Sequence, residues 1–244
     1  MSDLPPAGWH PDPHAPGQLR YWDGAAWTEH RQPVPGAAPP PAQQQPQVRP
    51  LISLGRRKEP VLVGGGMLAH KGKGVGLANL VYVAHSITDR FVNGAYSGTT
   101  YVFDLGDDRN QTVHLSWTGR THPKKRQAGE RGDADVAFET LFDYVYDTAV
   151  PGLIDRFVAA IEAGGSVQIG KFLLRREGIS GTKGLTKKAF ALPWSAVAAG
   201  TGGGAVHLST TGPDGKHVKL GSVTLGTPNG PMLRPLVRCF GGAA

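Results

Sequence analysis

Short alternating runs of apolar and polar residues dominate the middle of the chain. Residues 80–83, 100–105 and 112–117 are β-branched and aromatic stretches bounded by Gly, Asn and Asp, the pattern of half-buried strands. Asn93-Gly94 and Asp107-Asp108 lie between them and predict turns, because these residues tolerate tight backbone geometry. The rhythm then changes. Phe138, Leu141, Phe142 and Val145 fall on one helical stripe, continued by Leu153, Ile154, Phe157, Val158 and Ile161. Asp133 or Asp135 is placed to cap its start and Gly164-Gly165 to end it, while Pro151 predicts a kink or two successive helices. Strands return at 167–175, 190–192, 206–210 and 217–223, turned at Gly202-Gly203-Gly204 and Asp214-Gly215. A short closing helix carries Met232, Leu233, Leu236, Val237 and Phe240, with Asn229 as its cap and Pro235 limiting or bending it. Strands segregated from helices predict an α+β fold.

Composition divides the chain further. Gly and Pro supply 55 of 244 residues, and they are unevenly spread. Residues 1–31 hold three of the five tryptophans, Trp9, Trp22 and Trp27. Residues 33–50 hold seven prolines and Gln43-Gln44-Gln45 without an aromatic, so they cannot bury enough surface to offset chain entropy. The expected organisation is a Trp-rich β-hairpin module at 1–32, a disordered Pro/Gln-rich linker at 33–60 and a folded domain at 61–241. Within that domain the strands-then-helix order occurs twice, over units 61–163 and 166–240. The longest apolar run, 77–87, is 11 residues long and holds Asn79 and His85, too short and too polar to span a bilayer. The opening Met-Ser-Asp-Leu-Pro-Pro has neither a basic start nor an apolar core and predicts no secretory signal. With Cys239 as the sole cysteine, no internal disulfide and no cysteine-based zinc site can form, and the expected location is cytoplasmic.

Two resemblances rest on particular residues. Ala7-Gly8-Trp9-His10-Pro11-Asp12-Pro13 followed by Leu19-Arg20-Tyr21-Trp22-Asp23-Gly24-Ala25-Ala26-Trp27-Thr28 resembles a small actinobacterial module of unknown function, G-W-x-P-D-P … R-Y-W-D-G-x-x-W-T. The likeness covers about 25 residues and implies an interaction module. Physically, Asp23-Gly24 supplies a tight turn, and three indoles close a core too small to form without them. Residues 61–240 are similar to a bacterial family of unknown function with pleckstrin-homology-like architecture. That likeness rests on Gly165-Ser166-Val167 through Ile169-Gly170-Lys171-Phe172, on Glu177-Gly178-Ile179, on Leu192-Pro193-Trp194-Ser195-Ala196-Val197 and on Pro228-Asn229. It implies a bent antiparallel sheet closed by an amphipathic helix, either once or as two tandem units. The first unit shows no equivalent of the Leu192-Pro193-Trp194 strand.

No reaction is written in the chain. Gly64-Gly65-Gly66 and Lys71-Gly72-Lys73-Gly74-Val75-Gly76 could offer backbone N–H groups to an anion, but the phosphate-loop spacing is missing and a loose hairpin is expected. His85, Ser86 and Asp89 lie close in sequence, yet alternation sends Ser86 to the face opposite His85, and no nucleophile elbow surrounds it. Cys239 sits near a helix C-terminus, which disfavours a thiolate. His10, Asp12 and His14 have a ligating spacing, but alternating prolines hold them extended. The expectation is a non-enzyme with no catalytic residue, no metal and no cofactor.

Charge and aromatics point to binding instead. Residues 51–244 hold 23 Lys and Arg against 15 Asp and Glu, so they carry the whole positive excess. It concentrates in Arg56-Arg57-Lys58, in Arg120 with Lys124-Lys125-Arg126 in a loop, and in Lys171, Arg175, Arg176, Lys183, Lys187 and Lys188. The last six are the candidate anion-binding rim, facing an anionic lipid surface. Trp9, Tyr21, Trp22 and Trp27 are the candidate contacts to an unknown protein partner, as a groove for Pro-rich segments, whereas Trp117 and Trp194 read as core. The function expected is a cytoplasmic adaptor, peripheral at the inner membrane face. The alternative is a basic protein that binds nucleic acid without reading its sequence.

Overall fold

The computed structural model describes residues 5–12, 18–34, 47–55, 57–183 and 188–241. The chain divides into two compact units, residues 1–47 and 48–244. In the first, β1 (Gly8–Pro11), β2 (Gln18–Trp22) and β3 (Trp27–Pro33) form an antiparallel sheet in the order β1-β2-β3. The expected two-stranded hairpin is therefore three-stranded. The added strand pairs Trp9 with Tyr21 and His10 with Arg20, and the residues just before it receive the Trp22 indole N–H at the Pro5 carbonyl, 3.0 Å away. The Asp23 carboxylate makes the β2–β3 turn by accepting from the N–H groups of Ala25 and Ala26 at 2.8 and 2.7 Å.

The second unit opens with β4 (Arg49–Leu54), β5 (Glu59–Gly64), β6 (Met67–His70) and β7 (Lys73–Gly76), a four-stranded meander. A 3-10 turn at Leu77–Asn79 leads into the three-stranded sheet of β8 (Leu80–Val92), β9 (Ala95–Asp107) and β10 (Thr112–Gly119). Three helices follow: α1 (Pro123–Gln127), α2 (Asp133–Thr148) and α3 (Val150–Glu162). The plan then repeats. β11 (Val167–Ile169), β12 (Phe172–Arg175), β13 (Gly178–Lys183) and β14 (Lys188–Leu192) form a four-stranded sheet, and a 3-10 turn follows at Trp194–Ala196. β15 (Ala198–Gly202), β16 (Ala205–Thr211) and β17 (His217–Thr224) form a three-stranded one, closed by the 3-10 turn Gly230–Met232 and α4 (Leu233–Cys239). All pairings are antiparallel, and the unit is α+β.

Several expectations change. Strand β4 lies inside the stretch assigned to the linker, because Leu54 is buried and Leu51 and Ile52 pack on the core. Residues 35–46 and Arg56 of that stretch lie outside the described residues. The glycines of 64–76 lie in regular strands and turns rather than a loose hairpin, and Val61, Val63, Leu68 and Val75 of the same strands are buried. The run 167–175 is a hairpin and not one strand: Gly170 adopts φ +56°, which turns the chain. Residues 123–127, expected as loop, form α1. Leu192-Pro193-Trp194 is no strand beyond Leu192, since Pro193 ends β14 and Trp194 begins the 3-10 turn. By order of elements its counterpart in the first half is the 3-10 turn Leu77–Asn79, which lacks the Pro and Trp but also buries its first residue.

One apolar core runs through both halves. The chain breaks at Ala149, just before Pro151, giving two successive helices. Gly132 is the N-cap of α2, and Asp135 reaches back to accept its N–H at 2.9 Å. α2 packs on β4 and β10, while α3 touches β8, β11, β12 and α4, so the helices bridge the repeats. Asn229 caps no helix with its side chain. It sits at φ +59° and grips the edge of β8 instead, accepting from Val83 N–H at 3.2 Å and donating to Val81 C=O at 3.0 Å. Two backbone bonds extend this edge, Asn229 N–H to Val83 C=O and His85 N–H to Leu225 C=O, both 2.9 Å.

Candidate functional site

In the first unit the four predicted contact residues do not share a face. Cross-strand partners point the same way and chain neighbours point apart. Trp9 opposes Tyr21, their rings edge-on at 5.4 Å. Trp22 opposes Trp27 on the other face, edge-on at 5.2 Å, and there Trp27 also meets His10 at 6.1 Å. Trp22 is 9% exposed and forms the small core, whereas Trp9 is 41% exposed. The open aromatic surface is thus Trp9 with half-buried Tyr21. His10 hydrogen-bonds the Pro6 carbonyl at 3.0 Å, and Asp12 pairs with Arg31 at 3.1 Å. His14 lies outside the described residues. Among the described residues no group of three or more His, Cys, Asp or Glu side chains is placed to hold a metal.

The predicted anion rim also separates. Lys171 precedes β12 and Arg175 ends it, so they stand about 13 Å apart along the strand. Lys183 and Lys188 face each other across β13–β14 at the Lys171 end, as the Leu173–Ser180 pairing dictates. Arg176 turns with Arg175 at the opposite end, where Arg175 and Glu177 line a cleft of about 300 Å³. Lys187 lies outside the described residues. Lys171 packs over the Phe172 ring, its Nζ 5.4 Å from the centroid.

A buried polar constellation lies where α1 meets the sheet of β8–β10. Arg126 bonds Asp89 and reaches the Tyr101 hydroxyl at 3.0 Å, and Tyr101 donates to Asp135. Thr99 donates to Asp89 at 2.7 Å. Burial, with the Asp135 bond behind it, pushes the Tyr101 phenol up to about 12. Burial works against ionising Asp135, but bonds from Tyr101, the Gly132 N–H and Thr121 together hold its carboxyl below the ordinary range. The adjoining cleft of about 350 Å³ is lined by Ile87, Phe138 and these groups. Each carboxylate here is spent on an internal donor, so the constellation fastens α1 to the sheet. It was not legible in sequence, because Asp89, Tyr101, Arg126 and Asp135 come from four elements.

A second surface not anticipated from the sequence lies at the end of β8 and β9. Phe91 and Val92, next to the Asn93-Gly94 turn, are 56% and 58% exposed. An apolar pair flanking a hairpin turn was the available signal. Elsewhere, Trp117 and Trp194 are core as expected, and Cys239 is exposed. His85 is sealed among Phe103, Phe138, Phe142 and Tyr146, not aligned with Ser86.

Residues 7–47 match the model of a family described as "Protein of unknown function (DUF2510)", which agrees with an N-terminal module of unknown function. No curated protein and no solved structure matches the chain. Among the described residues, no helix is long and apolar enough to cross a membrane.

Proposed function

We propose that the chain is a non-enzymatic adaptor: the N-terminal unit takes a Pro-rich segment of a protein partner, and the second unit meets an anionic membrane surface at its cytoplasmic face. The observation that carries the first half is Trp9. Its indole stands 41% exposed and edge-on to Tyr21, on the face that the Trp22–Trp27 core leaves free. Aromatic pairs of this kind accept pre-extended Pro-rich chains with little entropy cost. In this reading the second unit is a tandem of pleckstrin-homology-like halves. The support is the order of four strands, a 3-10 turn, three strands and a closing helical segment, which occurs twice. Two weak contacts on one chain then act together, the first raising the effective concentration of the second.

Titration calorimetry of a Pro-rich peptide into the full chain tests the first half. Trp9→Ala should weaken binding at least about tenfold, as truncation of an aromatic anchor does. Equal binding by wild type and Trp9→Ala, or none by either, overturns it.

A further inference from the structure

Strand β10 stops at Gly119, opposite Thr99, but β8 and β9 continue to the pair Val92–Ala95. Their last pairs, Arg90–Gly98, Phe91–Tyr96 and Val92–Ala95, form a two-stranded arm beyond the third strand. Phe91 and Val92 are neighbours on one strand, so their exposed side chains point to opposite faces of the arm. The arm is held in place: Tyr96 donates its hydroxyl to the Thr121 carbonyl at 2.8 Å, and its ring meets His122 edge-on at 5.0 Å. Exposed Arg90 lies on the arm itself, and Arg120 and Lys124 sit on the segment that Tyr96 fastens beside it.

The acidic groups nearby are already paired. Asp89 is bound by Arg126, Glu130 by Lys125 at 3.2 Å and Asp133 by Lys58 at 3.8 Å. Among the described residues, Arg90, Arg120 and Lys124 have no acidic side chain within ion-pair distance, so this end of the sheet is apolar at its tip and cationic at its base. A flat protein surface desolvates one face of such a ribbon. A lipid interface surrounds both faces and supplies phosphates at the level of the cations.

We infer that the β8–β9 arm is the membrane contact: its tip, Phe91 and Val92, enters the headgroup region of an anionic bilayer, and Arg90, Arg120 and Lys124 bind lipid phosphates. This rests on the membrane half of the function proposed above and moves the contact from the Lys171–Lys188 rim to the arm.

Flotation of the full chain with vesicles of phosphatidylglycerol and phosphatidylcholine, against phosphatidylcholine alone, tests it. Wild type should float with the anionic vesicles only. Phe91→Ser with Val92→Ser should lower affinity by about tenfold or more, and Arg90→Ala or Lys124→Ala by about fivefold each. All four side chains are exposed, Phe91 meeting the Tyr96 ring edge-on at 5.9 Å, so the melting temperature should move little. If the arm variants float like wild type while Lys171→Ala/Lys183→Ala/Lys188→Ala does not, the arm is overturned and the membrane reading stands. If wild type floats with neither vesicle, both fall. Tight binding to double-stranded DNA that is indifferent to Phe91, with no flotation, also overturns the arm in favour of a nucleic-acid surface.

Discussion

His85 sits 7% exposed in a box of four aromatic rings, its Nε2 3.1 Å from the Tyr146 hydroxyl. Burial alone pulls its pKa from the ordinary 6.5 down to about 4. As pH falls below 6.5 the unfolded chain takes up this proton first, so stability declines until the folded chain can be protonated as well. The loss across that window is about 3 kcal/mol. Denaturant melts from about pH 7 to about pH 4 should therefore slope more steeply for wild type than for His85→Gln, which cannot titrate; equal slopes would count against the assignment. The tryptophans give a second contrast at this scale. Trp22→Ala removes the centre of a three-stranded core and should cost about 3–5 kcal/mol, more than so small a unit can spare. Amide resonances of residues 18–34 should collapse in that variant and persist in Trp9→Ala. The family-like spacing of the three indoles was legible from sequence, but their division between two faces was not. Facing depends on the third strand, and β1 is marked only by Trp9 and His10 among prolines.

Elements show why some of the fold could be read and some could not. β10, α2 and α3 are long and strongly periodic and the sequence predicts them, whereas of β8 and β9 it predicts only 80–83 and 100–105, short of their full spans Leu80–Val92 and Ala95–Asp107. β4 to β7 are short and rich in glycine, so their alternation is broken by turns, and the burial of Val61, Val63, Leu68 and Val75 emerges only once the strands pair. Asn229 was misread for a related reason. Asn before a helix ordinarily caps it, yet here the side chain answers the unpaired edge of β8, 146 residues away in sequence. That edge bond makes a graded prediction. Asn229→Ala loses both side-chain bonds and keeps a non-glycine residue at φ +59°, so it should cost about 2 kcal/mol. Asn229→Gly loses the same bonds but relieves the backbone, and should cost about half as much. Urea midpoints rank the two, and a larger loss in Gly than in Ala would contradict the proposed role.

At the scale of the whole second unit, repetition and fusion pull against each other. Each half follows the same order of sheets and turns, which suggests separable modules, and the first 3-10 turn of each buries its first residue, Leu77 in one and Trp194 in the other. Yet α3 packs on β11, β12 and α4, the 225–229 segment pairs with β8, and one core crosses the boundary. A half removed from its partner would expose these contacts and leave the β8 edge unpaired, a liability for any sheet. The two halves should therefore unfold as one. Calorimetry of the full chain should give a single transition for residues 48–244, with calorimetric and van't Hoff enthalpies equal. Asn229→Ala should shift that transition as a whole by about 4–8 °C without splitting it. Two resolved transitions, or a shift confined to part of the heat absorbed, would mean that the repeats are independent domains and that the shared core contributes little to their cooperativity.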